Sequence, residues 1–218
     1  YTSFLVTNGQ LPEVLAKIPP PTQLYISVSA PNEELFRSVD KPMYKDGWQR
    51  LLKSLDLLRQ FREEGKTRTV IRLTLIKGVT MLPEYAAHFA EMIKRANPMF
   101  LECKSYMWVG TSREKLERDN MATHEDIREF AKLVGSLIGY KLADEQEESR
   151  VVLMMQENTQ GRFLKIDEIS PGQKIDVFNS EAADAATEDS VLAVAVNSEN
   201  SPEEPLFPLK FSVGAKHL

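Results

Sequence analysis

Short apolar runs rich in β-branched residues alternate with segments of helical period along the first 140 residues of the sequence. We predict strands at these runs, over residues 3–6, 23–28, 69–76 and 99–107. Successive strands that are separated by helices pair in parallel through right-handed crossovers. The sequence therefore predicts an α/β fold with a parallel sheet.

The segments between these strands have the apolar spacing of amphipathic helices, and we predict helices over residues 11–18, 33–39, 46–62, 84–95 and 123–138. In the last helix, Thr123 can cap the amino terminus, Asp126 complements the positive end of the helix dipole, and Gly139 ends the helix. Two further strands follow over residues 140–144 and 150–155, separated by an acidic turn.

The faces of the predicted strands distinguish an open sheet from a barrel. Helices cover both faces of a central strand in an open α/β sheet, so such strands are apolar on both sides. Here one face is apolar, and the opposite face carries Tyr25, Ser27, Ser29, Arg72, Thr74, Glu102 and Lys104. Buried charges must be paired or bound, so we predict a partial or full (β/α) barrel with a polar interior. Arg72 and Glu102 then form either a structural ion pair or part of a ligand chamber.

Charge divides the chain into two predicted parts. Residues 168–218 carry nine acidic residues and three lysines, a net charge of −6, and the whole chain has −5, which leaves +1 for residues 1–167. We predict a barrel domain over residues 1–167 and an acidic, flexible tail over residues 168–218. Because the sequence starts at Tyr1 inside an apolar run, we expect this chain to be the carboxyl-terminal part of a longer protein.

Composition excludes several classes of protein. No apolar run approaches the ~20 residues needed to span a bilayer, so we expect no membrane partner. A single cysteine, Cys103, excludes an internal disulfide framework and suits a reducing compartment, which predicts a cytoplasmic location. The sequence contains no Walker loop, GxGxxG, GxSxG or HExxH motif, and a zinc site or a histidine-based triad is not expected.

Polar residues also occur where each predicted strand ends, and barrel active sites gather at the carboxyl ends of strands. The candidate binding residues on the polar face and at these ends are Thr7, Asn8, Ser27, Ser29, Arg72, Thr74, Lys77, Lys104 and Tyr106. Hydroxyl and amide groups can bind a sugar, and a guanidinium binds a carboxylate through two parallel hydrogen bonds. The strand ends therefore predict a site for a polar ligand.

Six segments, in order, resemble the tRNA 4-demethylwyosine synthases, which are radical S-adenosylmethionine (SAM) enzymes. The segments are TSFLVTNGQLPEVL, PTQLYISVSAPN, DKPMYKDGWQRLLKSLDLL, RTVIRLTLIKG, FLECKSYMWVG and GYKLADEQEESRVVLM. The resemblance extends from Tyr1 to about Asp167 and does not include the tail. It implies a partial (β/α)6 radical SAM barrel of which this chain holds strands three to six.

The resemblance also implies an activity. In this family a 4Fe-4S cluster cleaves SAM to a radical, which takes a hydrogen atom from the methyl group of N1-methylguanosine in phenylalanine tRNA. Two carbons of pyruvate then close the third ring of 4-demethylwyosine. We accordingly expect SAM and a 4Fe-4S cluster as cofactors, tRNA, pyruvate and an electron donor as partners, and a monomeric protein.

The chain departs from the family pattern in one respect. The family holds its cluster on a CxxxCxxC motif, and this sequence has only Cys103, on the apolar face of a predicted strand. The resemblance therefore implies that the cluster ligands, the pyruvate-reactive lysine and the catalytic residues lie upstream of Tyr1, with no metal ligand in this chain. We expect the chain alone to be inactive.

The resemblance further suggests roles for the candidate residues. SAM would contact Thr7, Asn8, Ser27, Ser29, Arg72, Thr74 and Lys77, with Arg72 on the carboxylate, and Lys104 and Tyr106 would face the substrate base. RNA contacts are expected among three charged clusters, residues 41–45, 59–68 and 112–119, although charge runs with interleaved acids are usually only solvated surfaces.

Three other functions remain open from the sequence. The protein could be a radical SAM enzyme with another substrate, or a truncated paralogue that binds RNA or a protein partner without catalysis. It could also be a barrel aldolase that uses Lys77 or Lys104 as a Schiff-base amine, because that chemistry needs only a desolvated lysine.

Overall fold

The computed structural model describes residues 2–156 and residue 159, which form one six-stranded sheet with five α-helices. The strands are β1 Phe4–Thr7, β2 Gln23–Val28, β3 Arg68–Leu75, β4 Phe100–Ser105, β5 Tyr140–Gln146 and β6 Val151–Gln156. The helices are α1 Pro12–Leu15, α2 Glu33–Val39, α3 Gly47–Glu63, α4 Ala86–Ala96 and α5 His124–Ile138. Short 3-10 turns lie at Pro83–Tyr85, Gly110–Glu114 and Arg118–Asn120.

The first four strands pair in parallel in chain order, as the sequence predicts. Their register aligns Ser27 with Arg72 and Arg72 with Glu102, and it aligns Thr74 with Lys104. Residues aligned in this way point to the same face of a sheet, since side chains alternate along each strand. The predicted polar face therefore exists as one continuous surface across β2, β3 and β4.

The predicted parallel sheet is observed with one exception, because β6 runs against the other five strands. The sheet order is β1-β2-β3-β4-β6-β5, and β6 pairs antiparallel with both β4 and β5. A connection of four residues joins β5 to β6, which is too short for a parallel crossover and long enough for a hairpin. β6 then takes the position beside β4 that a regular βα succession would give to β5.

The helices confirm most of the predicted boundaries. On α5, the Thr123 side chain accepts a hydrogen bond from the Asp126 backbone, the Asp126 side chain accepts one from the Thr123 backbone, and Gly139 ends the helix with φ +73°. The predicted helix over residues 11–18 is shorter, because α1 ends at Leu15 and Pro19 disfavours helical backbone at the residue before it.

Two hydrophobic clusters lie on opposite faces of the sheet. The larger cluster packs the apolar strand residues under α3, α4 and α5, with Leu24, Ile71 and Leu101 fully buried. The smaller cluster lies on the polar face near the amino ends of the strands and contains Tyr25, Val70, Met99, Phe100, Leu153 and Met155. The interior face is therefore apolar at one end and polar toward the carboxyl ends of the parallel strands.

None of the helices in the described range is long and apolar enough to cross a membrane. The predicted tail, residues 168–218, lies outside the described residues, and so does the proposed boundary at residue 167. The division of the chain into these two parts remains a prediction.

Candidate functional site

The centre of the polar face is an ion pair between β3 and β4. Arg72 donates from Nε to Oε1 of Glu102 at 2.5 Å and from Nη2 to Oε2 at 3.2 Å, and both side chains are buried, with exposures of 7% and 5%. The guanidinium also lies 4.7 Å from the ring centroid of Tyr25. Two hydrogen bonds and an aromatic contact compensate the desolvation of both charges, so the predicted pairing of Arg72 with Glu102 is observed.

Below this pair, toward the amino ends of the strands, the surroundings are dry. Burial raises the pKa of Tyr25 to about 12, and the neighbouring Glu102 carboxylate adds to the effect. Burial also lowers the pKa of Arg68 to about 10, while its Nε donates to Gln23 at 2.9 Å and its guanidinium lies 4.8 Å from the Phe100 ring. This end of the face is packed protein and leaves the carboxyl end as the place for a ligand.

Above the pair, toward the carboxyl ends, lie Ser27, Thr74 and Lys104, and all three side chains are half-buried. Burial lowers the pKa of Lys104, the Arg72 charge lowers it further, and Glu102 opposes both effects. A cation and two hydroxyls on adjacent strands can bind a carboxylate or a sugar. The structure thus brings together three of the residues predicted from the sequence.

Ser29 follows β2 and donates a hydrogen bond from Oγ to Oδ1 of Asp40 at 2.6 Å. Asp40 remains solvent-accessible, yet the protein around its carboxylate raises its pKa, and the Ser29 hydrogen bond opposes this rise. Asp40 comes directly after α2 and is 11 residues from Ser29 in the sequence. Sequence reasoning missed Asp40 because no motif links a helix end to a strand exit at that separation.

Thr7 and Asn8 lie apart from this group. Thr7 aligns with Ile26, which is on the helix-covered face, and its Oγ1 accepts from the Gly9 backbone at 3.1 Å. Asn8 accepts from the Gln10 backbone at 3.2 Å. Both side chains therefore stabilise the turn after β1, and the structure does not join them to the Arg72 face.

Lys77 and Tyr106 are also engaged locally. Lys77 donates from Nζ to Asp126 at 2.7 Å, at the amino terminus of α5. Burial acts to raise the pKa of Asp126, but the hydrogen bonds from Lys77 and Thr123 outweigh it and the pKa is lowered. Tyr106 is buried, and its hydroxyl donates to Ser112 at 2.7 Å. These two residues hold the loops around the polar face.

Cys103 does not provide a cluster site. It is fully buried under the helices, and burial raises the pKa of its thiol, which disfavours the thiolate that binds iron. Residues 2–156 contain no group of three or more His, Cys, Asp or Glu side chains placed to hold a metal ion. The described residues therefore do not fit a 4Fe-4S cluster.

Comparisons with known proteins show which proteins this chain is similar to. Residues 95–156 match a family model described as wyosine base formation. A tRNA 4-demethylwyosine synthase from Pyrococcus horikoshii is 48% identical over 178 residues, which cover 76% of this chain and 50% of the relative. The Methanocaldococcus jannaschii synthase is 40% identical, over 72% of this chain and 48% of its own length. The chain thus spans about half the length of the archaeal relatives that it matches.

Solved structures agree with these relatives. A structure of TYW1 with a bound lysine–pyruvate adduct has a TM-score of 0.62 and 38% identity, and covers 72% of this chain and 48% of its own chain. A crystal structure of archaeal TYW1 has a TM-score of 0.57 and 36% identity, over 72% and 47% of the two chains. The predicted α/β fold class is confirmed, with the difference that β6 runs antiparallel to the other strands. Over the half of these relatives that it spans, this chain is similar to the tRNA 4-demethylwyosine synthases.

Proposed function

We propose that the protein forms 4-demethylwyosine from N1-methylguanosine and pyruvate in phenylalanine tRNA, and that this chain supplies part of the SAM and substrate chamber. The observation that carries the proposal is the 48% identity over 178 residues to a synthase whose name states this SAM-dependent product. The half-buried Ser27, Thr74 and Lys104 support it, because they form a polar surface at the carboxyl ends of parallel strands.

SAM fits the donor set on this face. Hydroxyls suit its ribose and a lysine ammonium suits its carboxylate. We assign the carboxylate of SAM to Lys104. Arg72 donates two hydrogen bonds to Glu102, and this pair lies closer to the amino ends of β3 and β4 than the aligned pair Thr74 and Lys104. Ser27 and Thr74 would then position the methionine end, and Ser29 with Asp40 would bind the ribose hydroxyls. When bound, SAM supplies the radical chemistry that the resemblance implies.

The proposal also includes a cluster, an electron donor, a role for Tyr106, a cellular location and an oligomeric state. A 4Fe-4S cluster and an electron donor are required by the family chemistry, and no step through the cluster is assigned to the described residues. Tyr106 lies on the same carboxyl edge as Lys104 and is proposed to border the substrate base. A cytoplasmic location agrees with the unpaired Cys103, and a monomer is the simplest state of the protein.

The test is an anaerobic assay of the full-length protein. The protein would be incubated with SAM, pyruvate, a reductant and phenylalanine tRNA that carries N1-methylguanosine, and the digested tRNA would be analysed by mass spectrometry. We expect 4-demethylwyosine with this tRNA and none with tRNA that lacks the methyl group. Cleavage of SAM without a modified nucleoside would show a different substrate and overturn the proposal.

Matched variants connect the assay to this chain. Lys104→Ala is expected to lower product at limiting SAM at least about tenfold, whereas Lys132→Ala, which changes an exposed lysine on α5 away from the polar face, is expected to leave it unchanged. Equal activity of the two variants would contradict the assignment of SAM to this face while leaving the reaction itself in place.

A further inference from the structure

The loop between α2 and α3 has an exposed, positively charged tip. Residues 41–45 include Lys41 and Lys45 and no acidic residue. Both lysines are exposed, and neither forms an ion pair with a carboxylate in the part of the chain that the structure describes. Met43 and Tyr44 lie between them, with exposures of 96% and 39%. The loop therefore presents two cations on either side of an apolar segment.

The first half of this loop is fixed to the exit of β2 and to the start of α3. Ser29, which follows β2, donates from Oγ to Oδ1 of Asp40 at 2.6 Å, directly before the loop. Pro42 packs so closely on Gly47 that a Cβ atom at Gly47 would lie 2.7 Å from the Pro42 Cβ. Lys41, between these two contacts, has left-handed backbone with φ +46°, which costs free energy at a residue with a side chain. The surrounding contacts keep Lys41 in this conformation.

The second half of the loop is fixed through two arginines. Arg37 on α2 donates from Nη2 to the Lys45 carbonyl at 3.0 Å. The Arg50 guanidinium on α3 lies 4.2 Å from the Tyr44 ring centroid, and its Nη1 donates to the carbonyl of Gln10, in the turn after β1, at 3.3 Å. The loop is thus held at the exits of β1 and β2, and its exposed side chains stand on a supported backbone.

Single-stranded RNA matches the chemistry of this loop. Lysine ammonium groups bind phosphates, and unstacked bases bind apolar and aromatic side chains. Residues 37–50 carry four basic and two acidic residues, so this surface is positive although the whole chain has a net charge of −5. A small anion would bind the lysines and leave Met43 in water, whereas a nucleotide places a base next to its phosphate. The exposed Met43 therefore favours RNA over a small anion.

The other two charged clusters lack this combination. In residues 59–68 the cations have partners in the protein: Arg59 pairs with Glu63, Lys66 pairs with Glu64, Arg62 donates to Asn97, and Arg68 donates to Gln23. Residues 112–119 carry three basic and three acidic residues, and the Arg113 guanidinium lies 4.9 Å from the Trp108 ring. We therefore assign the RNA contact to residues 41–45.

We propose that residues 41–45 contact the tRNA beside its target nucleotide, with Lys41 and Lys45 on backbone phosphates and Met43 inserted against a neighbouring base. The inference rests on the proposed tRNA substrate and assigns a specific contact to it. An enzyme that acts on a base must take that base out of its stack, and an apolar side chain inserted beside it favours the unstacked form. Asp40, which precedes Lys41, bonds Ser29 of the proposed SAM chamber. A base unstacked here would lie next to that chamber.

Binding of fluorescently labelled tRNA to the full-length protein, measured at a series of salt concentrations, separates the two kinds of contact. We expect Lys41→Ala and Lys45→Ala each to weaken binding about fivefold and to lower the salt dependence by about one phosphate contact. Met43→Ala should also weaken binding about fivefold, but with the salt dependence of the wild type, because an apolar contact releases no counterions. Met43→Leu should retain most of the wild-type affinity.

Matched control variants come from α5. Lys132→Ala removes an exposed lysine, and Leu137→Ala removes an exposed leucine close to the start of β5, at the amino edge of the sheet. Both should bind tRNA as the wild type does. Because Lys41, Met43 and Lys45 are exposed, their variants should unfold at the temperature of the wild type, and a loss of affinity then reports the contact and not the fold.

A second measurement reports on the base itself. 2-Aminopurine, whose fluorescence rises on unstacking, would replace the base next to N1-methylguanosine in the tRNA. At saturating protein we expect the wild type and Lys41→Ala to raise this fluorescence and Met43→Ala to raise it much less. Wild-type fluorescence and affinity in Met43→Ala would overturn the base contact. Wild-type affinity and salt dependence in the double variant Lys41→Ala/Lys45→Ala would overturn the phosphate contacts.

The result for this loop can be distinguished from the result for the proposed reaction. Weaker tRNA binding by these variants, in a protein that forms no 4-demethylwyosine, would support the RNA contact and reject the reaction. Normal product formation by Met43→Ala and by the double variant, with unchanged tRNA binding, would support the reaction and reject the contact. Displacement of the labelled tRNA by inorganic triphosphate as effectively as by unlabelled tRNA at equal concentration would show a site for small anions and would also reject the contact.

Discussion

Arg72 and Glu102 lie directly opposite each other on adjacent parallel strands, and two hydrogen bonds of 2.5 and 3.2 Å join them in the interior of the protein. The pair separates an apolar layer around Tyr25 from a polar layer around Lys104. It therefore stabilises the fold at the boundary of the chamber, and a ligand would bind above it.

Removing one member of this pair should destabilise the protein strongly. Arg72→Ala leaves the Glu102 carboxylate buried without its partner, and we expect a loss of about 3–5 kcal/mol in the free energy of unfolding. The double variant Arg72→Met/Glu102→Leu removes both charges and should lie much closer to the wild type. Urea unfolding of the wild type and the three variants, including Glu102→Leu alone, measures this coupling. Additive losses in the double variant would contradict it.

Lys104 should control the affinity for SAM. We expect Lys104→Ala to weaken SAM binding at least about tenfold, the loss typical of one charged hydrogen bond, and Lys104→Arg to retain most of it. Isothermal titration with the full-length protein measures both, with Lys132→Ala as the control. An unchanged SAM affinity in Lys104→Ala would reject the assignment.

The pH dependence of SAM binding gives an independent check on Lys104. The ammonium form binds the carboxylate, and burial, followed by the Arg72 charge, lowers the pKa of Lys104. Affinity should therefore be complete at low pH and be lost on raising the pH, at a lower pH than for an ordinary lysine. Lys104→Arg should shift this loss to higher pH, because a guanidinium keeps its proton. The same midpoint in both proteins would exclude Lys104 as the titrating group.

Two buried tyrosines should make the fold sensitive to alkali. Burial is the main cause that raises the pKa of Tyr25 and of Tyr140 from 10.0 to about 12. Their neutral forms are favoured in the folded state, so this stability is complete below pH 10 and is lost as the pH rises through 12. Each tyrosine should account for about 2–3 kcal/mol of the loss.

Absorbance at 295 nm across this pH range tests the prediction for the tyrosines. Tyr25 and Tyr140 should ionise late and together with unfolding, because burial raises the pKa of both. The variants Tyr25→Phe and Tyr140→Phe should each remove one late step and flatten the loss of stability. A late step that persists in both variants would show that another group is responsible.

Gly135 on α5 should not tolerate alanine, although alanine has the higher helix propensity. A Cβ atom at this position would lie 2.8 Å from the Tyr140 carbonyl oxygen and 2.5 Å from the terminal methyl of Met154. The methyl can move, but the carbonyl is backbone, so we expect Gly135→Ala to destabilise the protein by about 1–3 kcal/mol. Ser136→Ala, at the exposed neighbouring position, is the control and should have little effect. Thermal unfolding compares the two, and a stabilised Gly135→Ala would contradict the close approach.

Much of this architecture could be predicted from residues that are close together in the sequence. The alternation of Arg72, Glu102 and Lys104 with apolar neighbours predicted the polar face and the ion pair. Thr123 and Gly139 predicted both ends of α5, because capping depends on residues close in sequence.

Contacts between distant segments could not be predicted in this way. Asp40 accepts a hydrogen bond from Ser29 only because the end of α2 folds back onto the exit of β2. Residues Val151–Met155 of β6 are all apolar and buried, so the sequence did not reveal which strand β6 pairs with or in which direction. The preference of Arg72 for Glu102 over a ligand likewise depends on a distance that the sequence does not contain.

The insertion of β6 between β4 and β5 has a consequence for the order of events during synthesis. In the described sheet, β5 pairs only with β6, although it leaves the ribosome first. β5 must therefore wait, unpaired with the sheet, until Val151–Gln156 has been made, and during that interval the outer edge of β4 is open. A nascent chain that stalls before Val151 should be more prone to aggregation through that edge than one that stalls shortly after Gln156.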